Sequence, residues 1–473
     1  MATLGEKPFF SRKPVGARVD EFLTRHFTRP AITWQQAFAI LLPLMAEHLF
    51  SNLFGLLNTA MISASGVTSL SAVSLVDTLN SFLYVLYTGI STGASVIVAN
   101  YRGRHDAEKL HESSVQAVTS VTSFTILTTM AIALFNAPLL RLLFGAAEEE
   151  VMTKARLYML GTALTLPIVG VTSSTCGVLR GIGEGKTSLG YTLVATGKYV
   201  ALNVLFLRVL KLGIPGLILS ISLSRVMDLG ILWLFLKRTH SKFIFRFREF
   251  FRVNPAIVRS ILRVGLPCAA ESLFFTGGRV VTQAIIVPMG TYAIATYNIS
   301  YSVMILSQIL VSAVNTGMFT ITGICIGSGR EQDVRELTRS YFILNTILYT
   351  LGIGVILLVF RGLVRFYHAP EEIIPTIFLC VMSSTIAQPV IHNFAFMLPN
   401  VFRAAGDGRF CTGASLIVMW VFRVGGGWLL GARLGMGVVG IWIAMLVDWV
   451  VRACIFPVRM RGDRWLRHKV LKD

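Results

Sequence analysis

The chain has 473 residues, 54% of them hydrophobic and only 14% charged, against about 25% charged residues in ordinary soluble domains. Most of its surface must therefore face lipid or other helices, which excludes a soluble globular protein. The formal charge of +19 is dispersed over alternate loops, so it reports membrane topology rather than a nucleic-acid partner.

Residues 1–31 are polar and basic and hold no apolar core of signal-peptide length, so they read as a cytoplasmic arm ahead of a retained first helix. A bilayer crossing takes about 20 mostly apolar residues. Twelve such stretches follow, beginning near Trp34, Ser71, Ser113, Ala155, Thr187, Gly213, Val258, Ala293, Leu337, Ile373, Phe410 and Gly435. The expected fold is an all-α polytopic membrane protein: an N-lobe over 32–236, a linker over 237–257, a C-lobe over 258–460 and a tail over 461–473. The loops on one side, with both termini, hold 30 Lys and Arg, and the opposite loops hold 8. By the positive-inside rule both termini are expected in the cytoplasm of a cell whose inner membrane the chain spans. The linker, KFIFRFREFF at its centre, is basic and aromatic and reads as a tether partly lying on the membrane surface.

The two halves repeat at a nearly constant offset. Pro43 and Glu47 match Pro267 and Glu271, Thr92-Gly93 matches Thr316-Gly317 and Gly103 matches Gly327, all at one spacing. LRGIGEGK from Leu179 is answered by FRAAGDGR from Phe402, a single position short of that spacing. Six helices per half is an even number, so the repeat is parallel, with its axis along the membrane normal and substrate sites expected near the midplane between the lobes.

Ionisable groups inside a span are costly and are functional candidates. Asp448 and Arg452 are four residues apart and Arg225 and Asp228 three, so each couple is able to neutralise itself. Lys198 and Arg423 stand at near-equivalent places and either snorkel or pair with Asp77 or Asp448, while His48 and His392 read as packed imidazoles. Glu47 and Glu271 differ: each lies mid-span, four residues after a proline, with no cation within a turn on its own helix. A buried, unpaired carboxylate of that kind suits exchange of a proton or cation. Asn58, about three turns beyond Glu47, offers an amide on the same face, and Arg279, eight residues after Glu271, is a candidate counter-charge. The candidate binding set is thus Glu47, Asn58, Asp77, Glu271, Arg279 and Asp448.

No enzymatic constellation appears. The six cysteines lie in or at the ends of apolar stretches without metal-ligand spacing, and the glycines of RGIGEGK and RAAGDGR lack the Walker spacing. No cofactor is expected beyond a coupling ion, H+ or Na+.

The paired RGIGEGK and FRAAGDGR turns, the YRGRHDAEK and IGSGREQDV loops and the closing GVVGIWIAMLVDWVVR resemble the multidrug and toxic compound extrusion (MATE) transporters over roughly residues 33 to 460. The resemblance implies proton- or sodium-coupled antiport of small cationic drugs by a monomer, its two lobes rocking in the bilayer. Many relatives carry an aspartate where this chain has Asn58, which cannot titrate, and some carry the seventh-helix glutamate where this chain has Phe275. A flippase of lipid-linked or polysaccharide precursors, from the same superfamily, is the alternative; Arg279, Lys198 and Arg423 would serve it.

Overall fold

The computed structural model describes residues 17–62, 67–144, 149–238, 249–250, 252–367 and 369–466. A short amphipathic helix, α1 (Ala17–Phe27), precedes α2 (Trp34–Ile62), α3 (Val67–Gly103), α4 (Ala107–Phe144), α5 (Glu149–Ala163), α6 (Leu166–Gly181), α7 (Gly185–Asn203) and α8 (Gly213–Arg238). The second half runs through α9 (Pro255–Ile286), α10 (Thr291–Gly327), α11 (Glu331–Phe366), α12 (Ile374–Ala387), α13 (Asn393–Ala404), α14 (Gly408–Val418) and α15 (Gly437–Arg461). In lipid each backbone polar group must be satisfied within its own segment, and among the described residues the only β pairing is one isolated bridge, Arg29 with Ile32.

Ten of these segments are long and apolar enough to cross a bilayer, and the bent pair α5–α6 makes an eleventh. The 29-residue α2 is the first span of the twelve. The α5–α6 span bends by 46°, where Pro167 enters the first turn of α6 and cannot donate to the preceding turn. Wider, π-helical turns carry α7 on through Val204–Val209, join α12 to α13 through Gln388–His392, and extend α14 through Met419–Gly425 and Trp428–Arg433. The expected span starts lie within six residues of the observed ones, and Trp34 and Gly213 coincide.

The repeat is visible in the turns. Gly183 and Gly406, matching positions of RGIGEGK and RAAGDGR, both take left-handed φ, +84° and +97°. The next N–H reaches back to close the helix, Glu184 to the Leu179 carbonyl at 2.7 Å and Asp407 to the Phe402 carbonyl at 2.9 Å.

The lobes meet along α3 with α9, and α2 with α10, while α3 also packs on α10. Bare glycine backbones allow the approach: a Cβ on Gly93 would stand 2.4 Å from Gly265 N, one on Gly103 2.2 Å from the Ile324 carbonyl oxygen, and one on Gly327 2.0 Å from the Asn100 carbonyl oxygen. Two apolar clusters join the lobes, one gathering Leu41, Met318, Leu337 and Phe402 and the other Val98, Val118, Ile261 and Phe319. Both lie toward the face that carries the linker and the chain ends. Toward the opposite face the clusters belong to single lobes, Val73, Ile132 and Leu217 in one and Ile286, Met304 and Trp442 in the other. The molecule is closed on the linker face, and its lobes part toward the other.

The N-terminal arm reaches across this closed face. Phe27 packs on Tyr341 with centroids 5.3 Å apart, Arg29 pairs with Glu336 at 2.6 Å, and the Ala31 N–H donates to Asp333 at 3.0 Å. All three partners are on α11 of the other lobe. The described end of the linker is likewise tied to α4, where Gln116 donates to the Arg252 carbonyl at 2.5 Å and Asn254 to Glu112 at 2.7 Å. Its stretch 239–248, with most of KFIFRFREFF, lies outside the described residues.

Candidate functional site

The two glutamates singled out by the repeat are not bare. Arg180, in the last turn of α6, donates to Glu47 at 3.3 Å, and Arg403, in the last turn of α13, pairs with Glu271. The two arginines keep step with the repeat as the two glutamates do, so one ion pair is built twice. The expectation of unneutralised carboxylates is therefore corrected: each partner comes from another helix of its own lobe, beyond the reach of a search along the same helix. These arginines belong to helix ends inside the lobes rather than to the loops.

Arg279 is not the counter-charge of Glu271 either. Eight helical residues carry it about 12 Å along α9, where its guanidinium lies over the Tyr301 ring, 4.6 Å from the centroid. In the sixth span the couple expected between Arg225 and Asp228 does not form. Asp228 is held by Lys198 at 2.6 Å, a lysine expected to snorkel or to pair with Asp77 or Asp448. Arg225 instead donates to the Tyr84 hydroxyl at 2.8 Å, to the Thr162 carbonyl at 3.3 Å and to Thr165 Oγ1. On α15, Asp448 and Arg452 do pair, at 2.9 Å and with at most 1% exposure.

Asp77, half-buried on α3, accepts from the Tyr158 hydroxyl at 3.1 Å and forms no ion pair among the described residues. It is alone in this among the five acids of the spans. Arg225 stands close enough to act on its charge without bonding to it. The backbone of α2 carries Asn58 the expected three turns beyond Glu47, but the Asn58 side chain lies outside the described residues.

A cavity of about 280 Å3 opens inside the second lobe. Glu271 and Phe275 of α9, Tyr301 and Gln308 of α10, Asn400 and Arg403 of α13, Arg423 and Trp449 of α15 and its neighbouring π turn line it, with His392 and Phe396. Tyr349 fixes His392 through a 2.6 Å contact between its hydroxyl and Nδ1, and Phe396 stacks on the imidazole at 4.1 Å. Glu271 thus belongs to this cavity, whereas Asp77 lies in the other lobe; the six candidates do not converge on one site. Sequence reasoning missed Gln308, Tyr158 and Trp449, for which the only signal is an amphipathic residue within an apolar run.

The family model MatE matches residues 43–205 and again 267–429. The chain belongs to the MATE family. The two matches begin at Pro43 and Pro267, the prolines that the repeat pairs. An uncharacterized transporter of Bacillus subtilis, YisQ, is similar at 24% identity over 94% of this chain and 98% of its own length. A probable multidrug resistance protein NorM of Thermotoga maritima is similar at 25% identity, over 91% of this chain and 92% of its own. Among solved structures, an outward-facing MATE multidrug transporter of the MOP superfamily superposes with a TM-score of 0.80, at 21% identity, over 90% of this chain and 95% of that one. This is a multi-pass protein of a multidrug efflux family, with twelve membrane spans in two lobes.

Proposed function

We propose that the chain is a secondary active exporter which exchanges drug-like organic cations, taken from the cytoplasm, for protons or sodium ions entering from outside, with Asp77 as the exchanging acid. The observation that supports it is the charge state of the spans: Glu47, Asp228, Glu271 and Asp448 each have a basic partner, and Asp77 is met by neutral donors, the Tyr158 hydroxyl first among them. A carboxylate already met by a guanidinium offers little to an incoming ion, whereas a phenol-bonded one is free to take up a proton or a cation. Protonated Asp77 loses its attraction for an organic cation, so one occupant expels the other. Asp77 replaces Glu47 and Glu271 in this role, and those two are read as ties of α2 to α6 and of α9 to α13. The positive-inside rule favours a cytoplasmic linker face and cytoplasmic chain ends, and a molecule closed on that face is then poised to load the coupling ion from outside.

The test is dye efflux in inverted vesicles with a proton gradient and a sodium gradient imposed separately. Asp77→Asn, which keeps the shape of a protonated carboxyl, is expected to insert normally and to lose gradient-driven efflux. Wild-type pumping by Asp77→Asn, with an unchanged response to both gradients, would overturn the assignment.

A further inference from the structure

The unpaired buried polar atoms of the residues lining the C-lobe cavity are all of one kind. Four buried side-chain atoms of residues that line it have no hydrogen-bond partner among the described residues: Arg403 Nε, Arg423 Nε, Gln308 Nε2 and Trp449 Nε1. All four are N–H donors, and no lining acceptor is left in that condition. Burying a donor unpaired is costly, and four beside one cavity make its surroundings rich in donors.

The charge balance points the same way. Glu271 is matched by Arg403, and the Asp448–Arg452 pair behind the wall is neutral as a unit. His392 is either neutral or positive and supplies no counter-charge. Arg423 remains: it is 2% exposed, forms no ion pair among the described residues, and has Phe275 beneath it, 5.2 Å to the ring centroid. Two guanidinium groups therefore face one carboxylate. Toward the outer side Arg279, over Tyr301, adds a second cation without an acidic partner among the described residues. Phe275 and Phe396 meet edge to face at 6.4 Å and Phe396 and Trp449 at 6.3 Å, which makes one continuous aromatic wall. Small-molecule sites begin at about 300 Å3, so the cavity takes one or two rings and a head group.

We infer that this cavity is a subsite for an aromatic organic acid, with the carboxylate on Arg423 and the ring against the aromatic wall of Phe275, Phe396 and Trp449. The inference rests on the exporter reading and refines its substrate: alongside its cationic group the molecule carries an aromatic ring and a carboxylate. Arg423 recognises the head group and the aromatic wall accepts the body.

The test uses purified protein in detergent, without any gradient, so its failure is separate from failure of the coupling assignment. Equilibrium dialysis measures three probes of one shape: 2-naphthylacetate, 2-naphthylacetamide and 2-(2-naphthyl)ethylammonium. The acid is expected to bind at least tenfold more tightly than the amide, and the ammonium most weakly. Arg423→Gln is expected to abolish the preference for the acid over the amide, and Arg423→Lys to retain part of it. Equal binding of acid and amide by the wild-type protein, or tighter binding of the ammonium, overturns the inference, as does an Arg423→Gln protein that still prefers the acid. If Arg423→Gln does not purify, the wild-type ranking and Arg423→Lys decide.

Discussion

Gly93→Ala should prise open the linker face. The added Cβ would lie 2.4 Å from Gly265 N, 2.5 Å from Gly265 Cα and 2.9 Å from the Ile261 carbonyl oxygen. All are backbone atoms and none can swing aside. Ordinary contact begins near 3.4 Å, so α3 and α9 must separate by about 1 Å, or the lobes must leave this state. Overpacking of this kind costs about 1–3 kcal/mol. If the cost falls on the closed arrangement and not on the open one, its population falls about 5- to 150-fold relative to the other. The readout is maleimide labelling of Met318→Cys in a cysteine-free background, since Met318 is fully buried in the seam and is uncovered only when that face opens. Gly197→Ala is the control, because a Cβ there meets nothing within 4 Å. Gly93→Ala should label several-fold faster than both the parent and the control. Labelling at the parent rate would refute the claim that glycine backbones hold this seam shut.

Three further outcomes follow from the same contacts. Lys198→Met leaves Asp228 uncompensated and should cost about 3–5 kcal/mol, lowering Tm in detergent; Lys198→Met with Asp228→Leu should recover most of the loss, and equal Tm values for single and double variants would contradict the pairing. Asp333→Ala removes the acceptor of the Ala31 N–H, a loss of about 1–3 kcal/mol, and should speed labelling of Met318→Cys while leaving helix content by circular dichroism intact. Reporter fusions at Thr291 and Arg330 should report opposite sides of the membrane, Arg330 the cytoplasmic one; the reverse assignment would undo the proposed direction of transport.

The span order and the repeat were legible because both are one-dimensional: apolar length gives the first and a fixed offset the second. Partner choice was not, because it depends on which helix faces which. Glu47 and Arg180 are 133 residues apart, and Glu271 and Arg403 are 132. The clue was present all the same, since two arginines and two glutamates kept step with the repeat. Lys198 illustrates the same limit: its partner Asp228 sits 30 residues on, on the next helix, where sequence offered Arg225 three residues from Asp228 as the nearer match. Arg423 was visible as an intramembrane base, but nothing along the chain distinguishes one that snorkels to the surface from one with 2% exposure over a phenylalanine.

The close approaches of Gly103 to the Ile324 carbonyl and of Gly327 to the Asn100 carbonyl are one contact made twice: the repeat carries Gly103 onto Gly327 and Asn100 onto Ile324. Residue i meeting j while j meets i is the pattern of a two-fold homodimer interface. A single half, before duplication, could dimerise through this same seam, and any substitution there would then be felt at two places at once. Joining the halves in one polypeptide ends that obligation for every position away from the seam. The position equivalent to Asp77 is Tyr301, and, with Gly213 matched to Gly437 at the first spacing, the one equivalent to Arg225 is Trp449. Fusion thus permits a division of labour that a homodimer is denied, with acid retained in one half and an aromatic, basic chamber built in the other.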